Sequence, residues 1–233
     1  MNIIYKTFIL FLTLSHIFNF IGSVSDFKRP QGDTLRPKAA ALSLSLPFQT
    51  GEQNPKPQRF AVEVAKTEVR LAGKKVLTLG SQDGGDEIFF AGLGAEVTVI
   101  DMDRAHLQHL EGRDKISPMW GDMRKVLPSM TREGRKFDIV YARLSLHWMG
   151  RQGMGKVIEA VKELLVPGGM FYFVVKSDTD PHYTRSIQLE NRKEDPSSWL
   201  LTHVDPQTKK SHTRQFFNLQ RVLYYLKDRK SVV

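Results

Sequence analysis

Val76-Leu-Thr-Leu-Gly80-Ser-Gln-Asp-Gly84-Gly85 is the stretch that decides how this 233-residue chain folds. Lys75 to Leu79 is a short apolar run that Gly80 stops, and Asp86 to Leu93 resumes a helical pattern before Gly94. A strand therefore enters a helix through a glycine-rich loop. Glycine alone readily takes positive φ or lets the backbone approach a ligand closely, so such a loop can cradle a nucleotide or nucleoside. The next apolar run, Glu96 to Ile100, is β-branched and ends at Asp101, 21 positions after Gly80. At that spacing a carboxylate can accept hydrogen bonds from both hydroxyls of a ribose.

The alternation continues outward from this unit. Gln58 to Ala72 places its apolar residues on one helical face, with Gly73 as a stop. Asp103 can cap a helix running to about Leu110, a short strand is expected near Lys115 to Met119, and Trp120 to Met123 reads as a loop. Phe137 to Ala142 is a fourth strand and Met154 to Leu165 a helix. Val166-Pro-Gly-Gly169 breaks that helix before a fifth, fully apolar strand at Met170 to Val175. Continuous apolar strands suit a sheet covered on both faces. The expected fold class is α/β, a Rossmann-like doubly wound, mostly parallel sheet with helices on both faces. Right-handed crossovers then gather the C-terminal strand ends on one edge, where ligands of such sheets bind.

With these elements in order, residues 58 to 176 resemble the class I S-adenosylmethionine-dependent methyltransferases. The family's first strand and loop typically read Val-Leu-Asp-Leu-Gly-Cys-Gly-x-Gly. Val99-Ile-Asp101 matches its ribose-binding acid, Gly121-Asp122-Met123 resembles the loop that holds the adenine amino group, and Leu165-Val-Pro-Gly-Gly169 matches its turn before the fifth strand. A Rossmann dehydrogenase lacks that last turn. The resemblance implies S-adenosylmethionine as cofactor, bound by Gly80, Ser81, Gln82, Asp83, Gly84, Asp101, Met102, Asp122 and Met123. The chain departs from the pattern at Thr78, where the family has an acid that orients the methionine end, and at Gln82, where it has the middle glycine. Asp83 or Asp86 would have to compensate for the first.

Methyl transfer needs little acid–base chemistry, because the sulfonium carries its own leaving group and alignment of the nucleophile is most of the work. His147 and Arg143 follow the fourth strand, so His147 could deprotonate a substrate and Arg143 could hold an anionic one. Packing roles compete with both. His106 and His109 lie three apart on a helix without a convergent third ligand, so no metal is expected. Trp120 and Trp148 are expected to pack in the core.

Tyr141-Ala-Arg-Leu-Ser-Leu-His147-Trp148, Val175 to Tyr183, and Thr213-Arg-Gln-Phe-Phe217 opening a helix resemble the small methyltransferases grouped with tellurite-resistance proteins. There such a stretch precedes a hairpin of the sheet's last two strands. The chain is accordingly expected to be C-terminally truncated near Lys227, with those strands missing, one sheet edge open and Asp228 to Val233 a non-native or disordered tail.

The amino terminus has a different composition. Lys6, an apolar stretch from Thr7 to Ile21 and the small residues Gly22 to Ser25 read as a signal-like or anchor segment over residues 1–25. Lys28, Arg29, Arg36 and Lys38 follow it, which favours an anchor with the domain facing the cytosol, or a cytoplasmic protein, with export as the alternative. Residues 26–57 carry five of the eleven prolines and form a linker to the domain at 58–227.

The absence of cysteine excludes disulfides, cysteine-ligated zinc, iron–sulfur clusters and a thiol nucleophile. A net charge of +9 is spread evenly along the chain rather than gathered in a stripe, so no nucleic-acid partner is expected. The function expected is methyl transfer to a small molecule or small oxyanion. A catalytically inactive binding module and a nicotinamide-dependent oxidoreductase are the alternatives.

Overall fold

The computed structural model of the protein describes residues 7–13, 19–21, 54–68, 70–179, 187–188, 200–204 and 211–226. Most of the linker and the tail at 228–233 lie outside the described residues. The elements in chain order are β1 (Thr7–Thr13), β2 (Asn19–Ile21), α1 (Arg59–Thr67), β3 (Lys75–Leu79), α2 (Gly85–Gly92), β4 (Glu96–Asp101), α3 (Ala105–Gln108) and β5 (Ile116–Trp120). They continue with α4 (Met123–Arg132), β6 (Phe137–Arg143), α5 (Arg151–Leu164), β7 (Leu165–Lys176), β8 (Ile187–Gln188), β9 (Leu200–Val204), β10 (Ser211–Gln215) and α6 (Leu219–Leu226).

Five strands pair in parallel in the order β7-β6-β3-β4-β5, the doubly wound sheet expected from the alternating pattern. Strand residues alternate between two apolar layers, so each face is sealed separately. Leu77 and Leu79 of β3, Val140 of β6 and Phe171 and Phe173 of β7 pack under α4, α5 and α6. Val76, Val99, Ile139, Tyr141 and Tyr172 pack on the opposite face with Phe60, Val64 and Phe90 of α1 and α2. Burying each large apolar side chain stabilises the fold by about 1.5–3 kcal/mol before chain entropy is counted. Pro118 is tolerated within β5 because β5 is an edge strand, where a missing amide donor can face outward.

Five local expectations need correction. Helix α1 ends at Thr67 rather than Ala72: the Glu68 carboxylate is drawn to Lys74 and accepts from the Tyr172 hydroxyl at 2.5 Å, which turns the chain out of the helix. Met123–Arg132, with no helix expected, is α4, capped by Asp122 and containing Pro128. The Val166-Pro-Gly-Gly169 break lies inside β7 as an irregularity in the ladder with β6, with Gly168 at φ +79°. Thr213–Gln215 is strand rather than the start of a helix, and Phe217 bridges Ser177 at the end of β7 before α6 begins.

The fifth correction concerns the apolar amino-terminal segment, where no strand is expected and the backbone of Thr7–Thr13 is β1. It pairs antiparallel with β7 from Thr7 opposite Lys176 to Thr13 opposite Met170, and β2 pairs in turn with β1. The edge of β7 expected to be open is thus covered by this chain's own first residues. Among the described residues no helix is long and apolar enough to cross a membrane.

Candidate functional site

The chain leaves β3 in one direction through β4 and β5, then crosses to the other side of β3 to form β6 and β7. Loops after β3 and β6 diverge at this switch point and open a crevice at the C-terminal edge. A cavity of about 780 Å³ fills the crevice. Its size lies in the range of roughly 300–1,000 Å³ that small-molecule sites occupy. Gly80, Ser81, Gln82, Asp83, Asp101, Met102, Asp122, Met123, Arg143 and His147 all line it, which brings together residues from four strand ends.

Gly84 is the exception. A Cβ added there would overlap His109 Nε2 and Leu110, so this glycine permits the packing of α3's end beneath the loop instead of facing a ligand. Gly80 does line the cavity, and it combines the expected positive φ with a packing constraint within the protein. Its φ is +84°, and a Cβ would approach Ser145 Cβ to 2.7 Å, so close passage of the β6 loop requires it.

Asp101 ends β4 almost fully buried. Its Oδ2 accepts from the Ser81 amide at 2.6 Å and its Oδ1 from the Asp103 amide at 2.7 Å. The carboxylate therefore fixes the glycine loop against the β4 turn and presents its remaining lone pairs to the cavity. His106 Nδ1 lies 3.4 Å from Oδ2. On the next loop, Asp122 caps α4 by accepting from the Arg124 amide at 2.9 Å, and the Arg124 guanidinium pairs with both of its oxygens. That pairing holds the Asp122 carboxyl below its ordinary range. Met102 and Met123 supply apolar surface, Met102 at the exposed rim. Trp120 is also exposed, not core, and donates from Nε1 to the Met102 carbonyl at 3.1 Å.

Sequence reasoning named Asp86 but missed both its buried partners and Glu87 beside it. Asp86 Oδ2 accepts from Tyr141 Oη at 2.8 Å and Arg143 Nε at 2.9 Å, while Oδ1 accepts from the Gln58 amide at 2.7 Å. This knot ties the start of α2 to the end of β6 and to the approach to α1. It drives the Tyr141 phenol far above its ordinary range, through burial first and the Asp86 charge second. Glu87, one residue on, lines the cavity with 3% exposure. Burial, with a smaller push from the Asp86 charge, takes its carboxyl up from 4.5 to about 7, opposed by its own amide and by the neighbouring Thr78 and Ser81 hydroxyls. Neither hydroxyl makes a hydrogen bond of good geometry among the described residues.

Arg143 is committed to Asp86 and also reaches Gln82 Oε1 at 3.4 Å, so its charge is largely satisfied within the protein. His147 sits in a short 3-10 turn, Leu146–Trp148, 1% exposed, with neither ring nitrogen partnered among the described residues. Burial, then the charges of Arg214 and Lys176, lower it from 6.5 to about 3. A ring so reluctant to take a proton is a poor general base at neutral pH, which counts against the expected deprotonating role. Trp148 is half-exposed rather than core, and the Arg214 guanidinium lies over its ring at 4.4 Å.

The neutral His147 ring gives a testable acid limb. Its folded pKa lies below the unfolded value of 6.5, so the associated stability is complete above pH 6.5 and is lost as pH falls toward 3. This group alone should cost about 2 kcal/mol between pH 6.5 and about 5. Urea unfolding across that window measures the loss. An NMR titration should show the His147 ring protons flat down to pH 5, and an inflection above pH 6 would contradict its burial as a neutral ring.

Residues 76–169 match the family model described as a methyltransferase domain. No curated protein matches the chain in sequence. Among solved structures, the DhpI–SAH complex is 19% identical over 72% of this chain and 71% of its own, with a TM-score of 0.51. The DhpI–SAM–HEP complex is 22% identical over 72% and 73%, with a TM-score of 0.52. The CcbJ methyltransferase from Streptomyces caelestis is 18% identical over 76% and 81%, with a TM-score of 0.52. At these identities the likeness concerns the fold, which is the Rossmann-like α/β arrangement described above. Among the described residues no cluster of three or more His, Cys, Asp or Glu is placed to hold a metal ion.

Proposed function

We propose that the chain is an S-adenosylmethionine-dependent methyltransferase whose acceptor is a small molecule or small oxyanion. The observation that carries the reading is the juxtaposition of the Gly80 loop with buried Asp101 across a cavity of about 780 Å³ at the switch point. The residues present fit the cofactor. Asp101 offers free lone pairs to ribose hydroxyls, Met102 and Met123 offer apolar faces to the adenine ring, and Ser81 has a hydroxyl still in need of a partner. Asp122, held by Arg124, lines the cavity where the resemblance puts the adenine amino group.

When bound, S-adenosylmethionine supplies an electrophilic methyl on a sulfonium, which needs no activation by the protein. The protein's share is to bind, orient and exclude water. The Gly80 to Asp83 backbone holds the amino-acid end, and the Arg143 to Met149 loop forms the wall against which an acceptor would rest. His147, neutral and buried, and half-exposed Trp148 shape that wall. Arg143, held by Asp86, lines the same wall as a fixed donor whose charge is largely met within the protein. The resemblance of the 141–148 and 213–217 segments to the tellurite-resistance group favours chalcogen oxyanions or thiols among small acceptors. Because the cofactor is a cytosolic metabolite, the reading places the domain in the cytosol.

Transfer of labelled methyl from S-adenosylmethionine across chalcogen oxyanions, thiols, small carboxylates and transfer RNA tests the acceptor. Labelling of one of the small acceptors is expected. Robust labelling of RNA alone would overturn the proposal.

A further inference from the structure

We propose that Glu87 binds the ammonium group of the cofactor's amino-acid end, taking over the role of the acid that Thr78 replaces. The inference rests on the cofactor reading above. Thr78, next to last in β3, is fully buried with its hydroxyl unpartnered, where the resembled family has its acid. Two acids near the loop could have compensated, and neither is a buried acid left without a charged partner. Asp83 is exposed and turns back to accept from the Gly85 amide at 3.2 Å. Asp86 is consumed by Tyr141, Arg143 and the Gln58 amide.

Glu87 differs from both. It lies in the first turn of α2, lines the cavity, and stands beside Thr78 and Ser81. No Lys, Arg or His pairs with it among the described residues, although it is as buried as the core. An acid so placed wants a cation, because removal from water penalises its ionised form and only an opposite charge or hydrogen-bond donors restore it. A ligand ammonium supplies a charge and three donors at once. The acid thereby moves from β3 to the first turn of α2, on the other side of the same loop.

Calorimetric titration of the full chain tests the assignment with two probes. S-adenosylhomocysteine carries the ammonium, and 5′-methylthioadenosine shares the adenosine but lacks the amino-acid end. Glu87→Gln is expected to weaken S-adenosylhomocysteine by about tenfold or more, as for loss of a charge-assisted hydrogen bond, while 5′-methylthioadenosine changes less than about twofold. Equal affinity of both proteins for S-adenosylhomocysteine would overturn the proposal, and so would an equal loss for both probes, which would make Glu87 a shaper of the pocket. Should Glu87→Gln fail to fold, the unaltered protein is titrated with S-adenosylhomocysteine lacking its amino group. Undiminished affinity for that analogue overturns the proposal equally. Failure of the unaltered protein to bind either probe is a distinct result, and it would sink the cofactor reading itself.

Discussion

Asp101→Ala is expected to lower the affinity for S-adenosylmethionine by at least about 100-fold. A carboxylate accepting from two ribose hydroxyls makes two charge-assisted hydrogen bonds, each contributing about 1.5–3 kcal/mol, and about 1.4 kcal/mol is tenfold in affinity. The same substitution strips the Ser81 and Asp103 amides of their acceptor. The loop should therefore loosen, and the melting temperature should fall by a few degrees without loss of the fold. Asp101→Asn separates the two effects, since its amide oxygen can still accept from one backbone N–H. It should melt closer to the unaltered protein yet remain at least about tenfold weaker for the cofactor. Calorimetric titration below each variant's melting transition makes the comparison. Unchanged affinity in both would remove Asp101 from the site.

The second large effect concerns stability. Asp86→Ala should destabilise the protein by about 3–5 kcal/mol, as expected when one partner of a buried ion pair is removed and the other is left uncompensated. Arg143 would be stranded with a side chain only 16% exposed, and the Tyr141 hydroxyl and Gln58 amide would lose their acceptor. For a domain whose total stability is about 5–15 kcal/mol, the variant should be close to unfolding at physiological temperature. Adding Arg143→Met to Asp86→Ala should recover part of the loss, because no unpaired charge then remains. Urea unfolding of the two single variants and the double one forms the cycle. A loss below about 1 kcal/mol for Asp86→Ala would mean that the knot is not a stabilising element.

Much of this arrangement is legible in the sequence, and particular residues show why. Val76 to Leu79, Val97 to Ile100 and Phe171 to Val175 are apolar on both faces because helices cover both sides of the sheet, so their runs announce a parallel core. Asp101 is legible because its distance along the chain from Gly80 follows from the strand–helix–strand unit. Helix α4 is hidden because Pro128 sits inside it and its outward face is basic, although Asp122 two residues before Arg124 is a readable cap. The strand role of Thr7–Thr13 is hidden because an apolar run reads alike whether it crosses a membrane or pairs with the edge of β7.

The site was legible where chemistry follows local spacing and not where it follows three-dimensional packing. Gly84 carries the motif's signature, yet the residues that forbid a side chain there, His109 and Leu110, arrive from a different helix end. The division of labour between Asp86 and Glu87 cannot be read from two adjacent acids. It is set by Tyr141 and Arg143, more than fifty residues away, which capture the first and leave the second facing the cavity. His147 likewise reads as a base until burial among Arg214, Lys176 and the loop deprives it of a proton near neutral pH.

Calorimetric titration of the full chain with S-adenosylmethionine and, separately, with NADH tests the central claim most directly. Saturable one-to-one binding of S-adenosylmethionine, with no heat from NADH, is the result that the Gly80 loop and Asp101 predict. Binding of NADH alone, or of neither ligand, would contradict it, the first pointing to a hydride-transfer enzyme and the second to an inert module.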